Sequence, residues 1–178
     1  MMLQIGHRYS VDFDLFSERS LSDKLPLNIV KIFGKSIITE YNSGDIYSIV
    51  TPSEVTVTFV YYPYPLLKKP LITHSLPLFH LDDLAANKAY TIGRRGKWRD
   101  YVDLFFLLKE KYYSLTEIIN FSGKKFLGEF NDKLFLEQLT YFNDLKIVPI
   151  DFIKKKYEPD EIKSFFENQT RHYLQKIL

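Results

Sequence analysis

Hydrophobic and polar positions change rhythm twice along the 178 residues. Residues 9–16 (Tyr-Ser-Val-Asp-Phe-Asp-Leu-Phe) alternate, which is the period of a half-buried strand. Ser10, Asp12 and Asp14 then share one face, and Tyr9, Val11, Phe13 and Leu15 the other. Residues 20–33 read as a helix. Segments 36–41, 46–50 and 54–61 are rich in Ile, Val, Thr, Tyr and Phe, with Asn42-Ser43-Gly44-Asp45 as a turn between the first two. These runs predict a small, largely antiparallel sheet. Pro63 and Pro65 break the pattern, and an irregular stretch leads to a short strand near Leu78 and a helix over 81–92.

After Leu104 the chain is strongly helical. Ser114 and Glu117 have capping-box spacing, and Asn131 is a suitable cap for a further helix. Pro159, Asp160 and Glu161 fit the first turn of the last helix, where a missing N–H is harmless and negative charge suits the dipole. Ile162, Phe165, Phe166, Tyr173 and Ile177 would form its buried stripe. The prediction is an α+β fold: a mixed, largely antiparallel sheet with flanking helices in residues 1–80, followed by a C-terminal helical bundle in 81–178 packed on it as one compact body.

Composition supports a folded chain, with 46% hydrophobic and 16% aromatic residues. No apolar run is long enough to span a bilayer and no secretory leader is evident, so a cytoplasmic location without membrane attachment is expected. The chain has no cysteine, so any metal must be held by oxygen or imidazole. A formal charge of +2 argues against a general polyanion binder. Locally, Lys88, Arg94, Arg95, Lys97 and Arg99 are all basic with no acid among them. Such a run is either a solvated helix end or an anion-binding surface. His7, His74, His80 and His172 have no paired metal spacing, which points to ordinary surface or core roles.

Two constellations carry chemistry. Asp12 and Asp14 stand roughly 6–7 Å apart along one strand face, close enough for both carboxylates to hold one cation. Mg²⁺ (or Mn²⁺) suits such a pair, because it is commonly held by one or two carboxylates and substrate phosphates. The same spacing also suits the solvated face of an amphipathic strand. In the helix from Leu81, Lys88 falls on the apolar side with Leu84 and Ala85, so it must snorkel out, find a carboxylate or meet a phosphate. Asp100 and Asp103, neighbours at i and i+3 on the next helix, are the carboxylates within reach. A salt bridge tying two helices and a catalytic role both fit.

The string Gly6-His7-Arg8-Tyr9-Ser10-Val11-Asp12-Phe13-Asp14-Leu15-Phe16 resembles the GHRxSxDxDLF segment of AbiEii/AbiGii toxins, members of the polymerase-beta-like nucleotidyltransferase superfamily. Residues 83–104, with Leu84-Ala85-Ala86-Asn87-Lys88, Arg95-Gly96 and Arg99-Asp100-Tyr101-Val102-Asp103-Leu104, are similar to that family's DLAAxKxxAxxxRGxxRDxxDL block. The resemblance implies a nucleotidyltransferase-like core in 1–80, and Asp12 and Asp14 as ligands of a divalent metal. It implies nucleotide binding by Arg8, Ser10, Lys88 and Arg95. Asp100 and Asp103 are implied to orient Lys88 or to accept the acceptor's proton. It further implies an NTP substrate, an acceptor such as tRNA or another RNA, and a cognate antitoxin.

Two features depart from the family pattern. Eleven residues precede Asp12 and contain no Gly-Gly-Thr or Gly-Ser motif, so the chain reads as an N-terminally shortened relative with an incomplete core. The resemblance also implies a third carboxylate on the later strand, where Glu54, Thr56 and Thr58 would share a face and Thr58 takes the acid's place. A second function therefore stays open, that of a catalytically silent remnant binding a protein or RNA through its basic loop.

Overall fold

The computed structural model describes residues 1–10 and 12–177. Val11, expected on the apolar strand face, lies outside them. Along the chain run α1 (Met2–Ile5), β1 (Asp12–Ser17), α2 (Leu25–Phe33), β2 (Ile38–Asn42), β3 (Ile46–Val50), β4 (Thr56–Tyr61), α3 (Leu81–Arg95), α4 (Trp98–Lys109), α5 (Leu115–Phe126), α6 (Asp132–Gln138) and α7 (Pro159–Ile177). Contacts divide the chain into a sheet unit, Ser10–Tyr64, and a helical unit made of Met1–Tyr9 with Pro65–Leu178. These cuts differ from the 80/81 boundary read from helical content.

The sheet unit is an α+β layer pair with strand order β1-β4-β3-β2. β1 runs parallel to β4, whereas β3 is antiparallel to both β4 and β2, so the sheet is mixed and largely antiparallel as expected. Leu15, Tyr47, Ile49, Val57 and Phe59 alternate onto one face and meet Leu25 and Ile29 of α2. The helix begins at Leu25 rather than residue 20 because Pro26 occupies its first turn, where a fixed φ and a missing N–H are tolerated.

β1 also starts later than predicted. Arg8 bridges Phe152, and the Tyr9 N–H is donated to the Asp151 carbonyl, so both residues pair within the helical unit. Ser10 therefore precedes the strand that carries Asp12 and Asp14, and Tyr9 is exposed instead of lining an apolar face. Glu54 is likewise off the strand face assigned to it: it sits in a turn with φ 61°, and β4 begins at Thr56. The strand near Leu78 reduces to an isolated bridge with Leu71.

In the helical unit the central element is α4. Trp98 and every residue from Tyr101 to Leu108 are buried, so this helix is surrounded rather than amphipathic. Phe105 makes edge-on contacts with Tyr157, Phe165 and Phe166, which dock α7 and the segment before it. The capping boxes and caps expected at Ser114 and Asn131 form. On α7, Ile162 and Phe166 are buried, and Phe165 and Tyr173 pack against the core. Ile177 does not complete that stripe, being 60% exposed in the last turn, beyond the core the helix packs on.

A fully buried ion pair fixes the extended chain that leads into α3. Asp83 meets Lys125 of α5, and its two oxygens also accept the N–H groups of Leu67 and Lys68. Removing one partner of such a pair strands a charge in low dielectric. Lys125→Met is expected to lower stability by about 3–5 kcal/mol and to speed amide exchange at Leu67 and Lys68. Urea unfolding with hydrogen exchange measures both. Full protection at those two amides would show that Asp83 holds the segment without its lysine.

Candidate active site

The two acidic constellations fall in different units. In the sheet unit, Asp12 and Asp14 are exposed on one face of β1, an edge strand. Their register partners on β4 are Thr56 and Thr58, and Thr58 in turn pairs with Ser48 of β3. The Ser48 and Thr58 hydroxyls are 3.2 Å apart, and Ser48 Oγ lies 3.5 Å from Glu40 Oε2. Glu40 reaches this row by alternation from Thr39, which pairs with Ile49, and it lies where the β2–β3 register shifts between Thr39 and Tyr41. The set is all oxygen, the donor type of hard cations such as Mg²⁺. Among the described residues no three His, Cys, Asp or Glu side chains converge for a metal. A cation held by the Asp12–Asp14 pair would therefore take its remaining ligands from water or phosphate, which is how Mg²⁺ is usually bound.

In the helical unit His7, Arg8, Lys88, Asp100 and Asp103 come together. Asp103 is 1% exposed. Its Oδ1 takes His7 Nε2 at 2.6 Å and Arg8 Nε at 2.7 Å, while Oδ2 takes Arg8 Nη2 at 3.0 Å and Lys88 Nζ at 2.7 Å. The remaining Arg8 nitrogen donates to the Tyr9 carbonyl at 3.0 Å, so all three nitrogens of the fork are engaged. Lys88 bridges to Asp100 Oδ1 at 2.7 Å, and Asp100 Oδ2 accepts the Lys97 N–H at the start of α4. The lysine on the apolar side of α3 has found the two carboxylates within its reach.

Local sequence explains the approach. Gly96 joins α3 to α4, and a Cβ there would stand 2.9 Å from the Tyr101 ring and 3.0 Å from the Ile92 Cα. Glycine lets the corner close, bringing the Lys88 turn beside the first turn of α4. Burial opposes charge on both partners. Asp103 and then Asp100 nevertheless hold the Lys88 ammonium above the usual lysine range. Lys88, with hydrogen bonds from His7 and Arg8, holds Asp103 well below the usual carboxylate range.

Arg95 stands apart from this network, exposed at the C-terminal end of α3 where a cation suits the dipole. Its neighbour Arg94 is turned to Glu129 and lies over the Tyr90 ring. Sequence reasoning missed His7 as a partner of Asp103, although its place beside Arg8 in the quoted string was a signal. It also missed Glu40, because its contact with Ser48 depends on how β2 and β3 pair.

Residues 1–175 match the family described as "Nucleotidyl transferase AbiEii toxin, Type IV TA system". The uncharacterized protein aq_aa25 of Aquifex aeolicus (strain VF5) is 28% identical over 180 residues, covering 98% of this chain and 84% of that protein. Among solved structures, a candidate nucleotidyltransferase from H. pylori superposes with a TM-score of 0.53 at 18% identity, over 96% of this chain and 82% of its own. That likeness extends to the fold. JHP933 from Helicobacter pylori gives a TM-score of 0.44 at 13% identity, over 96% of this chain and 81% of its own.

The Asp103 cluster predicts a pH dependence. A carboxyl held below its unfolded value contributes stability that is complete above about pH 3.9 and is lost as pH falls through the folded value. Asp103→Asn leaves Arg8 and Lys88 facing an amide, and is expected to cost about 3–5 kcal/mol at pH 7. The gap between variant and wild type narrows below about pH 4. Urea unfolding at pH 7, 4 and 3 checks it, and a gap that stays constant across the three would place the depressed group elsewhere.

Proposed function

The chain belongs to the AbiEii nucleotidyltransferase toxin family of type IV toxin–antitoxin systems, and from that premise we propose that it transfers a nucleotidyl group from an NTP to an acceptor hydroxyl such as the end of a tRNA. The observation that carries this reading is the exposed Asp12 and Asp14 pair on one face of an edge strand. Two adjacent carboxylates in solvent repel each other, and a divalent cation relieves that repulsion. When bound there, Mg²⁺ or Mn²⁺ would neutralise phosphate charge. Ser10, just before the strand, adds a hydroxyl donor for phosphate oxygens.

The helical unit has anion-binding candidates of its own. Lys88 keeps 23% of its side-chain exposure, so its ammonium remains open to an anion while Asp100 and Asp103 fix its direction. Arg95, exposed and unshielded by burial, steadies phosphates. Arg8 acts through Asp103, with its fork already closed. Asp103 is a poor candidate for taking the acceptor's proton, because a carboxylate held below its usual range is a weak base. In a cell the reaction would belong to the cytoplasm, with a cognate antitoxin as the partner that restrains it.

One observation favours the second reading, a catalytically silent binding module: both carboxylates near Lys88 are already paired with it. A lysine so held serves as a helix tie. The experiment that separates the two incubates labelled NTPs and Mg²⁺ or Mn²⁺ with total RNA and either wild type or Asp12→Ala. Transfer predicts labelled RNA from the wild type and a loss of about 10²-fold or more in the variant. Equal labelling by both would remove Asp12 and Asp14 from the site. RNA retained without label would favour the binding module.

A companion measurement addresses the metal alone. Calorimetric titration with Mn²⁺ should show binding to the wild type that the Asp12→Ala/Asp14→Ala double variant has lost. Identical isotherms would mean the cation binds elsewhere.

A further inference from the structure

Transfer at the acidic edge of the sheet needs a destination for the acceptor's proton within the sheet itself. We propose that Glu40 is its terminal acceptor, reached from the acidic edge of the sheet through the hydroxyls of Thr58 and Ser48. The proposal rests on the nucleotidyl-transfer reading above and assigns that site a residue far from it in sequence.

Three observations carry it. The first is the row itself: Asp14, Thr58 and Ser48 occupy register positions on three adjacent strands, on the face opposite the core of the sheet unit. The neighbours of Ser48 along its own strand face are Ile46 and Val50, so on β3 the hydroxyl stands only at the level of Asp14, whereas Thr56 at the level of Asp12 has Val50 beyond it. The second is Glu40 on β2, which follows Thr39, the partner of the core residue Ile49, and so alternates onto that face, where its carboxylate meets Ser48.

The third observation concerns direction. A carboxylate only accepts, so Ser48 must donate its single proton to Glu40. Ser48 then accepts from Thr58, 3.2 Å away, and Thr58 points its own proton towards Ser48. The lone pairs of Thr58 are thereby left to accept from a third group. Its neighbour on the far side is Asp14, one strand spacing of about 4.8 Å away. An acceptor hydroxyl held at the Asp12–Asp14 edge is within hydrogen-bond reach of Thr58. Ser48 is 7% exposed, which shields the middle of the chain from water, whereas Glu40 lies in solvent and can discharge.

The step balances. The acceptor oxygen forms a bond to the α-phosphorus, and the bond from that phosphorus to the bridging oxygen breaks with its electron pair leaving on pyrophosphate. The acceptor's proton passes to Thr58 Oγ1, the Thr58 proton to Ser48 Oγ, and the Ser48 proton to Glu40 Oε2. Both hydroxyls end neutral, and Glu40 releases the proton to water. The 3.5 Å contact between Ser48 and Glu40 is the loosest link, and a rotation of the exposed glutamate side chain closes it.

The test measures transfer of label from each of the four ribonucleoside triphosphates to total RNA by the full chain, separating kcat from KM. Glu40→Gln is expected to lower kcat by about 10²-fold with KM for the nucleotide unchanged. Thr58→Val should do the same, while Thr58→Ser keeps the hydroxyl and most of the activity. The Glu40→Gln/Thr58→Val double variant should be no slower than either single, since one break already interrupts the chain. A proton inventory in mixed H₂O and D₂O should be curved for the wild type and linear for Thr58→Val. Glu40 is exposed, so an unchanged urea midpoint confirms that Glu40→Gln is folded. Glu40→Gln within twofold of wild type, in an assay where Asp12→Ala abolishes labelling, overturns the relay and leaves nucleotidyl transfer standing. A wild type that labels nothing overturns the transfer reading, and the relay with it.

Discussion

Asp103 carries a negative charge at 1% exposure, and the helical unit is arranged to make that tolerable. An isolated carboxylate in such a place would be costly, so cations must converge from segments distant in sequence. They come from Arg8 and from Lys88 of α3, His7 adds a hydrogen bond, and α4 supplies the acid itself. Neutralising one buried charge thus ties the N-terminal segment, α3 and α4 together more specifically than apolar packing alone would. The Gly96 corner has no room for a side chain, and Asp100 both starts α4 and shares Lys88. Asp83 repeats the solution with Lys125 and two backbone donors.

The acids of the sheet unit follow the opposite logic. Asp12 and Asp14 lie exposed on an edge strand, where water lowers the cost of their charge. The buried charges of the helical unit are saturated by partners, whereas the two acids of β1 are exposed and adjacent.

How much of this was legible in the sequence depends on the range of each interaction. Alternation placed Asp12 and Asp14 on one face, and helical spacing turned Lys88 inward towards Asp100 and Asp103, because both inferences need only local geometry. Caps at Ser114 and Asn131 were legible for the same reason. The start of β1 was misjudged because Arg8 and Tyr9 pair with residues about 140 positions later, and no local pattern reports that. Ile177 has the right spacing on α7 but lies past the core its helix packs on, so period alone put it inside. His7 looked like an ordinary histidine because its partner is 96 residues away.

Thr58 illustrates what a position can mean once its neighbours are known. Read alone, a threonine where an acid is expected is a loss, since a hydroxyl brings no charge. In the sheet that hydroxyl sits between Asp14 on one side and Ser48 on the other, with the Glu40 carboxylate at the end of the row. The charge missing at position 58 is present two strands away, and hydroxyls transmit polarity because each both donates and accepts. β2, the edge strand opposite β1, thus contributes an acid to the same face. A carboxylate placed directly at position 58 would add a third negative charge beside Asp12 and Asp14 and raise the demand for cations at that edge. Holding the acid at a distance leaves a two-carboxylate edge with a neutral neighbour, the arrangement in which one divalent cation with phosphate and water can satisfy the charge.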